Sequence, residues 1–371
     1  MEQNVKILDY LQLINAENVG PITFYKLLEI YGSAEAALAE LPKMKKYRPW
    51  DRRRAELELA RARQLGIEIL CFDDADYPAE LAAMEDRPPL LYLKGRCKVL
   101  ANPCRVAVVG ARNASINGRK NASRIAYDLT NAGVITVSGM ARGIDSAVHK
   151  GAMYAQDQQG ATIAVLGTGA DVPYPKENQA LYEQIAQNGV IISEFPLGSE
   201  PQANNFPRRN RLVAGLSLGT LVVEATLHSG SLITARLALE QGKEVFALPG
   251  SPSDARSLGP NRLIKDGANL IENAEDILEI IRTVSAREIS PLPAVSLPQR
   301  KKISKETPCF NEIKTVDKTR IIDYLDHDGV YVDEIIRLSG KDPAEVSLEL
   351  LELELSGKIE RQVGNKVALK G

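Results

Sequence analysis

The densest chemistry in the 371-residue chain lies in the run Asn205-Phe206-Pro207-Arg208-Arg209-Asn210-Arg211, with three arginines in four residues beside an aromatic ring and an asparagine. A guanidinium is a planar, permanently charged fork that grips phosphate oxygens two at a time. An aromatic face next to it can carry a stacked base. Taken alone, the run also fits a solvated basic surface loop. Three further stretches offer related chemistry. Gly110-Ala111-Arg112 combines a tight turn, a nest of backbone N–H groups and another fork. Ser138-Gly139-Met140-Ala141-Arg142-Gly143-Ile144-Asp145 and Ser229-Gly230-Ser231-Leu232-Ile233-Thr234-Ala235 place small or hydroxyl-bearing residues where a helix start can receive an anion.

These stretches need elements to position them. Short β-branched runs predict strands at Val106–Val109, Val134–Ser138, Thr162–Leu166, Val190–Ser193, Thr220–Val223 and Glu244–Leu248. Helical patterns lie between most of them, as at Arg119–Asn131, Ser146–Met153 and Asn178–Asn188. The alternation predicts an α/β fold whose core is an extended Rossmann-like parallel sheet covered on both faces. Functional groups then gather at the carboxyl ends of the strands, where the phosphate-type stretches fall.

Enzymatic readings find little support. Gly167-Thr168-Gly169-Ala170-Asp171-Val172 starts as a dinucleotide fingerprint but ends in valine and runs into Pro173 and Pro175. No G-x-x-x-x-G-K-S/T stretch is present. The histidines are His149, His228 and His327, and none has an evident nucleophile partner. Asp145, Glu194 and Glu224 follow strands and could supply glycosidic carboxylates, although such residues more often orient arginines or cap helices. Cys71, Cys97, Cys104 and Cys309 form no C-x-x-C pair, so neither zinc nor a disulfide framework is expected. No cofactor or metal is expected.

The formal net charge of −2 makes any nucleic-acid site a local patch on a nearly neutral body. No apolar run is long enough to span a bilayer and the N-terminus lacks a signal-peptide pattern, which predicts a cytoplasmic protein with no membrane contact. Four regions are expected: an all-α domain over 1–65, the sheet core over 66–284, a proline-rich linker over 285–315 and a winged-helix domain over 316–371. In the first, Gly20-Pro21 suggests a helical hairpin, but Pro21 lacks an N–H, so a structural or protein-contact role is favoured. In the last, Thr319–Leu325, Val332–Ser339 and Pro343–Leu355 read as helices, with a hairpin from Lys358–Glu360 and Lys366–Leu369. The third helix carries Asp342, Glu345, Glu349, Glu352 and Glu354, which would repel a phosphate backbone.

The sequence closely resembles the DprA/Smf family of bacterial DNA-processing proteins from about Asp73 to Glu279. The resemblance is carried by Val108–Arg112, Ser138–Asp145 with Ala147 and His149, Pro175-Lys176-Glu177-Asn178, Ser193-Glu194-Phe195-Pro196, Phe206–Arg211, Ser229–Ala235 and Leu248-Pro249-Gly250-Ser251. It implies a non-enzymatic protein that binds single-stranded DNA, forms a homodimer and loads the RecA recombinase in natural transformation. It also implies a DNA-binding set of Gly110, Arg112, Ser138, Arg142, Lys176, Asn178, Phe206, Arg208, Arg209, Asn210, Arg211, Ser229 and Thr234. A second reading is a nucleotide hydrolase similar to the lysine-decarboxylase-like phosphoribohydrolases, whose P-G-G-x-G-T stretch is missing here.

Overall fold

A run of short strands separated by amphipathic helices has to pair its strands in parallel and bury both faces of the resulting sheet. The computed structural model describes residues 2–44, 46–155, 161–288, 330–339, 341–356, 358–362 and 366–369. Four helices come first: α1 (Glu2–Ile14), α2 (Pro21–Tyr31), α3 (Ala34–Glu40) and α4 (Arg52–Gln64). There follow β1 (Ile67–Cys71), α5 (Ala79–Ala82), β2 (Leu90–Gly95), β3 (Arg105–Val109), α6 (Ile116–Asn131), β4 (Ile135–Ser138), α7 (Ile144–Met153) and β5 (Thr162–Val165). Next come α8 (Gln179–Asn188), β6 (Val190–Ser193), α9 (Asn205–Gly215), β7 (Gly219–Val222) and α10 (Gly230–Glu240). The series closes with β8 (Glu244–Ala247), α11 (Leu258–Lys265), β9 (Asn269–Leu270) and α12 (Ala274–Glu288).

The nine strands form one sheet in the order β1-β2-β6-β5-β4-β3-β7-β8-β9. From β6 to β9 every pairing is parallel, while β1–β2 and β2–β6 are antiparallel. Successive side chains point to opposite faces. Val109, Val137, Val165 and Val222 meet Leu212 and Val213 of α9 and Ala235 of α10. Val108, Leu221 and Phe246 meet Ile125 and Leu129 of α6, Val148 of α7 and Ile277 of α12. The six expected strands are β3–β8, with ends displaced by a residue at most. Antiparallel β2 escapes a β-branched search because leucine dominates its buried run.

The run from Asn205 to Arg211 is not a surface loop but the opening of α9, with Pro207 tolerated in the first turn. Helix α12 runs to Glu288, past the boundary at 285 expected for the linker. The N-terminal helices share a core with the first two strands: Leu11, Leu13, Phe24 and Leu59 pack with Ile67, Ile69 and Tyr92.

The chain divides into two compact units, Met1–Pro298 and Gln299–Gly371. The second contains β10 (Val330–Tyr331), α13 (Val332–Ser339), α14 (Pro343–Leu355), β11 (Ile359–Gln362) and β12 (Lys366–Leu369). Its three strands are ordered β10-β12-β11 beside a core of Ile335, Val346 and Leu350. The helix expected at Thr319–Leu325 lies outside the described residues. Among those residues no helix is long and apolar enough to cross a membrane.

Candidate nucleic-acid interface

Strand order reverses between β3 and β7. From β3 the chain moves outward through β4, β5 and β6, and α9 then carries it back to lay β7 on the other side of β3. Open α/β sheets bind ligands outside the strand carboxyl ends at such a point. A cavity of about 1110 Å³ opens there. Gly110 and Arg112 line it after β3, Gly139 and Asp145 after β4, and Phe206, Arg209 and Asn210 from α9. Ser229 and Thr234 follow from β7–α10, and Asp254 and Arg256 follow β8. A second recess of about 260 Å³ adjoins it, lined by Arg142, Thr168, Tyr174 and Lys176. Arg112, Tyr174, Phe206 and Arg209 border both spaces. Between them the Tyr174 and Phe206 rings lie 5.4 Å apart, and the Arg112 guanidinium rests 5.6 Å over Phe206.

Close backbone packing holds this wall. Gly143 caps α7 at φ +79°, and a Cβ there would sit 2.3 Å from the Ala111 carbonyl oxygen. Only glycine lets the turn after β4 press on the turn after β3 in this way. Ile144 N–H donates to the Ala111 carbonyl (3.2 Å), which ties the two turns together. The Ser115 hydroxyl caps α6, while Ser115 also donates its backbone N–H (2.8 Å) and its hydroxyl (2.5 Å) to Glu224. Ser229 caps α10, its hydroxyl accepting from Ser231 N–H.

The three arginines of α9 do not form one wall. Successive helical residues are turned by about 100°, so adjacent side chains meet different surroundings. Arg209 is 5% exposed; its guanidinium donates to the carbonyls of Gly139 and Val165 at the cavity floor. Burial lowers its pKa to about 10, opposed by Asp145, so the charge persists at neutral pH. Arg211, 7% exposed, pairs with Glu194 and Asp86 away from the cavity. Exposed Arg208 lies 5.2 Å over Phe195 and lines a separate cavity of about 170 Å³ with Pro21, Tyr92 and Glu194. Of the three arginines, Arg209 alone lines the switch-point cavity.

Two more expected residues act from behind. Buried Ser138 donates its hydroxyl to the Val108 carbonyl (2.7 Å). Asn178 donates its amide to the Met140 carbonyl (2.8 Å) and the Ser146 hydroxyl (2.9 Å). Gly110, Arg112, Arg142, Lys176, Phe206, Arg209, Asn210, Ser229 and Thr234 do line one or both spaces. The residue reading missed Tyr174 and Arg256. Tyr174 precedes the quoted Pro175-Lys176, and Arg256 becomes a neighbour only because β8 pairs with β7.

The carboxylates are engaged in holding structure. Buried Asp145 accepts from Ala141 N–H (3.2 Å), and burial raises its pKa despite the nearby Arg209 charge. Glu194 is occupied by Arg211 and Glu224 by Ser115. His149 is buried with Nδ1 2.7 Å from Thr162 Oγ1, and burial pushes its pKa down to about 3. Cys71, Asp73 and Asp74 bring metal-type ligands together, but Lys6 already bonds both carboxylates at 2.9 and 3.0 Å. Around the two spaces the cations Arg112, Arg142, Lys176, Arg209 and Arg256 face the anions Asp145, Glu177 and Asp254.

Residues 68–282 match the family model described as DNA recombination-mediator protein A. The chain belongs to the DprA/Smf family. Models for the DprA-like N-terminal HHH domain and the DprA winged helix domain match residues 5–62 and 311–365. Among curated relatives of this DprA/Smf chain, protein Smf of Escherichia coli K12 is 37% identical over 331 residues, covering 89% of this chain and 85% of that one. The DNA processing protein DprA of Streptococcus pneumoniae is 45% identical over 205 residues, covering 55% and 71%. The solved structure of S. pneumoniae DprA aligns at a TM-score of 0.60 and 34% identity, covering 75% of this chain and 95% of that one. Helicobacter pylori DprA, solved for its single-stranded DNA binding mode, aligns at 0.53 and 30% identity, covering 59% and 96%.

Proposed function

We propose that this DprA/Smf member holds single-stranded DNA at the switch-point cavity and hands it to the RecA recombinase in natural transformation, working as a cytoplasmic homodimer without catalysis. The observation that carries the reading is the wall shared by the two recesses, where the exposed Arg112 guanidinium lies over Phe206, whose ring is tilted against that of Tyr174. Forks and rings side by side suit a strand whose phosphates and bases are both exposed, whereas a duplex hides its base faces. Lys176 adds a cation to one recess beside Arg142, which pairs with Glu177, while Arg256 in the other is held by Asp254. The H. pylori relative's single-stranded DNA binding mode supports the same assignment. The non-catalytic reading is supported by the engagement of the carboxylates: Glu194 pairs with Arg211, Glu224 accepts from Ser115 and Asp145 accepts from Ala141 N–H.

The test is a titration of single-stranded and duplex oligonucleotides across salt concentrations, with wild type and Arg112→Ala. The wild type is expected to prefer the single strand. Arg112→Ala should bind more weakly, with a salt slope reduced by about 0.7 for one lost phosphate contact, and should melt like the wild type. Equal affinity for duplex, or an unaltered slope in the variant, would sink the assignment.

A further inference from the structure

The chain carries 46 Lys+Arg against 48 Asp+Glu, yet residues 43–54 hold seven of the cations and a single anion, Asp51. Tyr47 and the chain's only tryptophan, Trp50, are interleaved with those charges. A charge run is ordinarily a solvated face, and three observations set this one apart. First, its backbone is fastened to the helical module. Gln12 donates its side-chain amide to the Trp50 carbonyl (2.9 Å), Asn18 donates to the Lys46 carbonyl (3.0 Å), and Glu17 N–H donates to the Arg48 carbonyl (3.0 Å). Second, Asp51 spends its charge as the α4 cap, accepting from Arg54 N–H at 2.7 Å. Third, the Arg54 guanidinium is stacked 4.0 Å over the Trp50 ring, and Leu57, one turn further along α4, is 62% exposed.

Some of the charge is spent locally, since Arg52 pairs with Asp9 and Lys43 with Glu40. Lys46, Arg48 and Arg53 face solvent; Arg48 is 78% exposed and approaches Glu17 no closer than 3.9 Å. What remains is a fastened, cationic surface with stacked π faces. Helix α4 links it to the switch point. Arg61, seven residues and about 10 Å along the helix from Arg54, donates to Asp171 at 2.6 Å. Asp171 lies on the loop that continues into Tyr174 at the border of the two recesses.

We propose that Lys46, Arg48, Trp50 and the exposed side of α4 form a second contact surface for single-stranded DNA, taken up where the strand leaves the switch-point cavity. The surface grips phosphates with Lys46, Arg48 and Arg53 and offers the Trp50–Arg54 stack to a base. The proposal rests on the DNA-binding reading above and adds a longer track, which ties the N-terminal module to strand length.

Trp50 is the only tryptophan, so its emission reports on this surface alone. The full chain is titrated with an oligothymidylate of about 5 nucleotides, near the low end of single-strand sites, and with one of about 20. The longer strand should quench Trp50 and bind more tightly, and the short strand should bind without altering the emission. In Lys46→Gln/Arg48→Gln/Arg53→Gln, all surface changes, the longer strand should bind at least about fivefold more weakly. Its salt slope should fall by about 2 for three lost contacts, with short-strand binding unaltered. Arg112→Ala should weaken both strands. Unaltered Trp50 emission at saturation, or an unaltered long-strand slope in the triple variant, overturns this surface while leaving the cavity intact and would assign the patch to an acidic protein partner. Failure of wild type to bind either strand overturns both readings.

Discussion

Replacing Arg211 by alanine would strip the buried Glu194 carboxylate of a partner, although both arginine and glutamate lie away from the switch-point cavity. Breaking a buried pair from one side typically costs about 3–5 kcal/mol, because the remaining charge stays desolvated. Arg211→Ala is therefore expected to lower the denaturant midpoint sharply, and any DNA defect should follow the loss of folded protein. A wild-type midpoint in this variant would show that Glu194 needs no counter-charge. His149 sets a second residue-scale expectation. Its unfolded imidazole takes a proton below about 6.5, while the folded one does so only at about 3. Between those values the unfolded chain binds more protons, so stability falls with falling pH by up to about 1.4 kcal/mol per unit. Asp145 and Glu194, raised by burial, act in the opposite sense. The difference between wild type and His149→Gln isolates the histidine: urea midpoints of the variant should decline less between neutral and acid pH. Parallel curves would rule this out.

At the scale of elements, the turns after β3 and β4 lean on one another through Gly143. Gly143→Ala would drive a methyl group against the carbonyls of Ala111 and Arg112 and would ask an L residue to hold φ +79°. Overpacking typically costs about 1–3 kcal/mol. The variant should lose stability and single-strand affinity together, since Arg112 sits on the displaced turn; stability and affinity both at wild-type values would disprove the brace. The same elements show how far residue types alone could be read. Strands β3–β8 were legible because each is a short apolar run ahead of a glycine or polar turn. Gly110, Arg112, Ser229 and Thr234, all named from the stretches that follow those strands, line the cavity. Leucine-rich β2 and two-residue β9 lack that signature. The arginine run misled because a helical step of about 100° sends Arg208, Arg209 and Arg211 to three surroundings. Arg256 was invisible for another reason: strand pairing, not sequence neighbourhood, brings it to the cavity.

At the scale of the molecule, charge is spread unevenly over a nearly neutral total. The net −2 gives no long-range pull on a polyanion, so capture depends on local patches and weakens steeply with salt. Acidic α14, with Glu345 and Glu352 exposed, adds nothing to that capture. The cavity rim has a mechanical meaning as well. One side is supplied by the turns after β3 and β4, the other by the segments after β7 and β8. A ligand seated across it becomes a further strut between two halves of the sheet, beside the β3–β7 ladder and the Ser115–Glu224 hydrogen bonds. Opening that seam would then require releasing the ligand first. Amide hydrogen exchange should slow in step on both sides of the rim as single-stranded DNA is added, by a factor set by ligand concentration over Kd. Protection confined to one side would mean that the strand lies along the rim and does not span it.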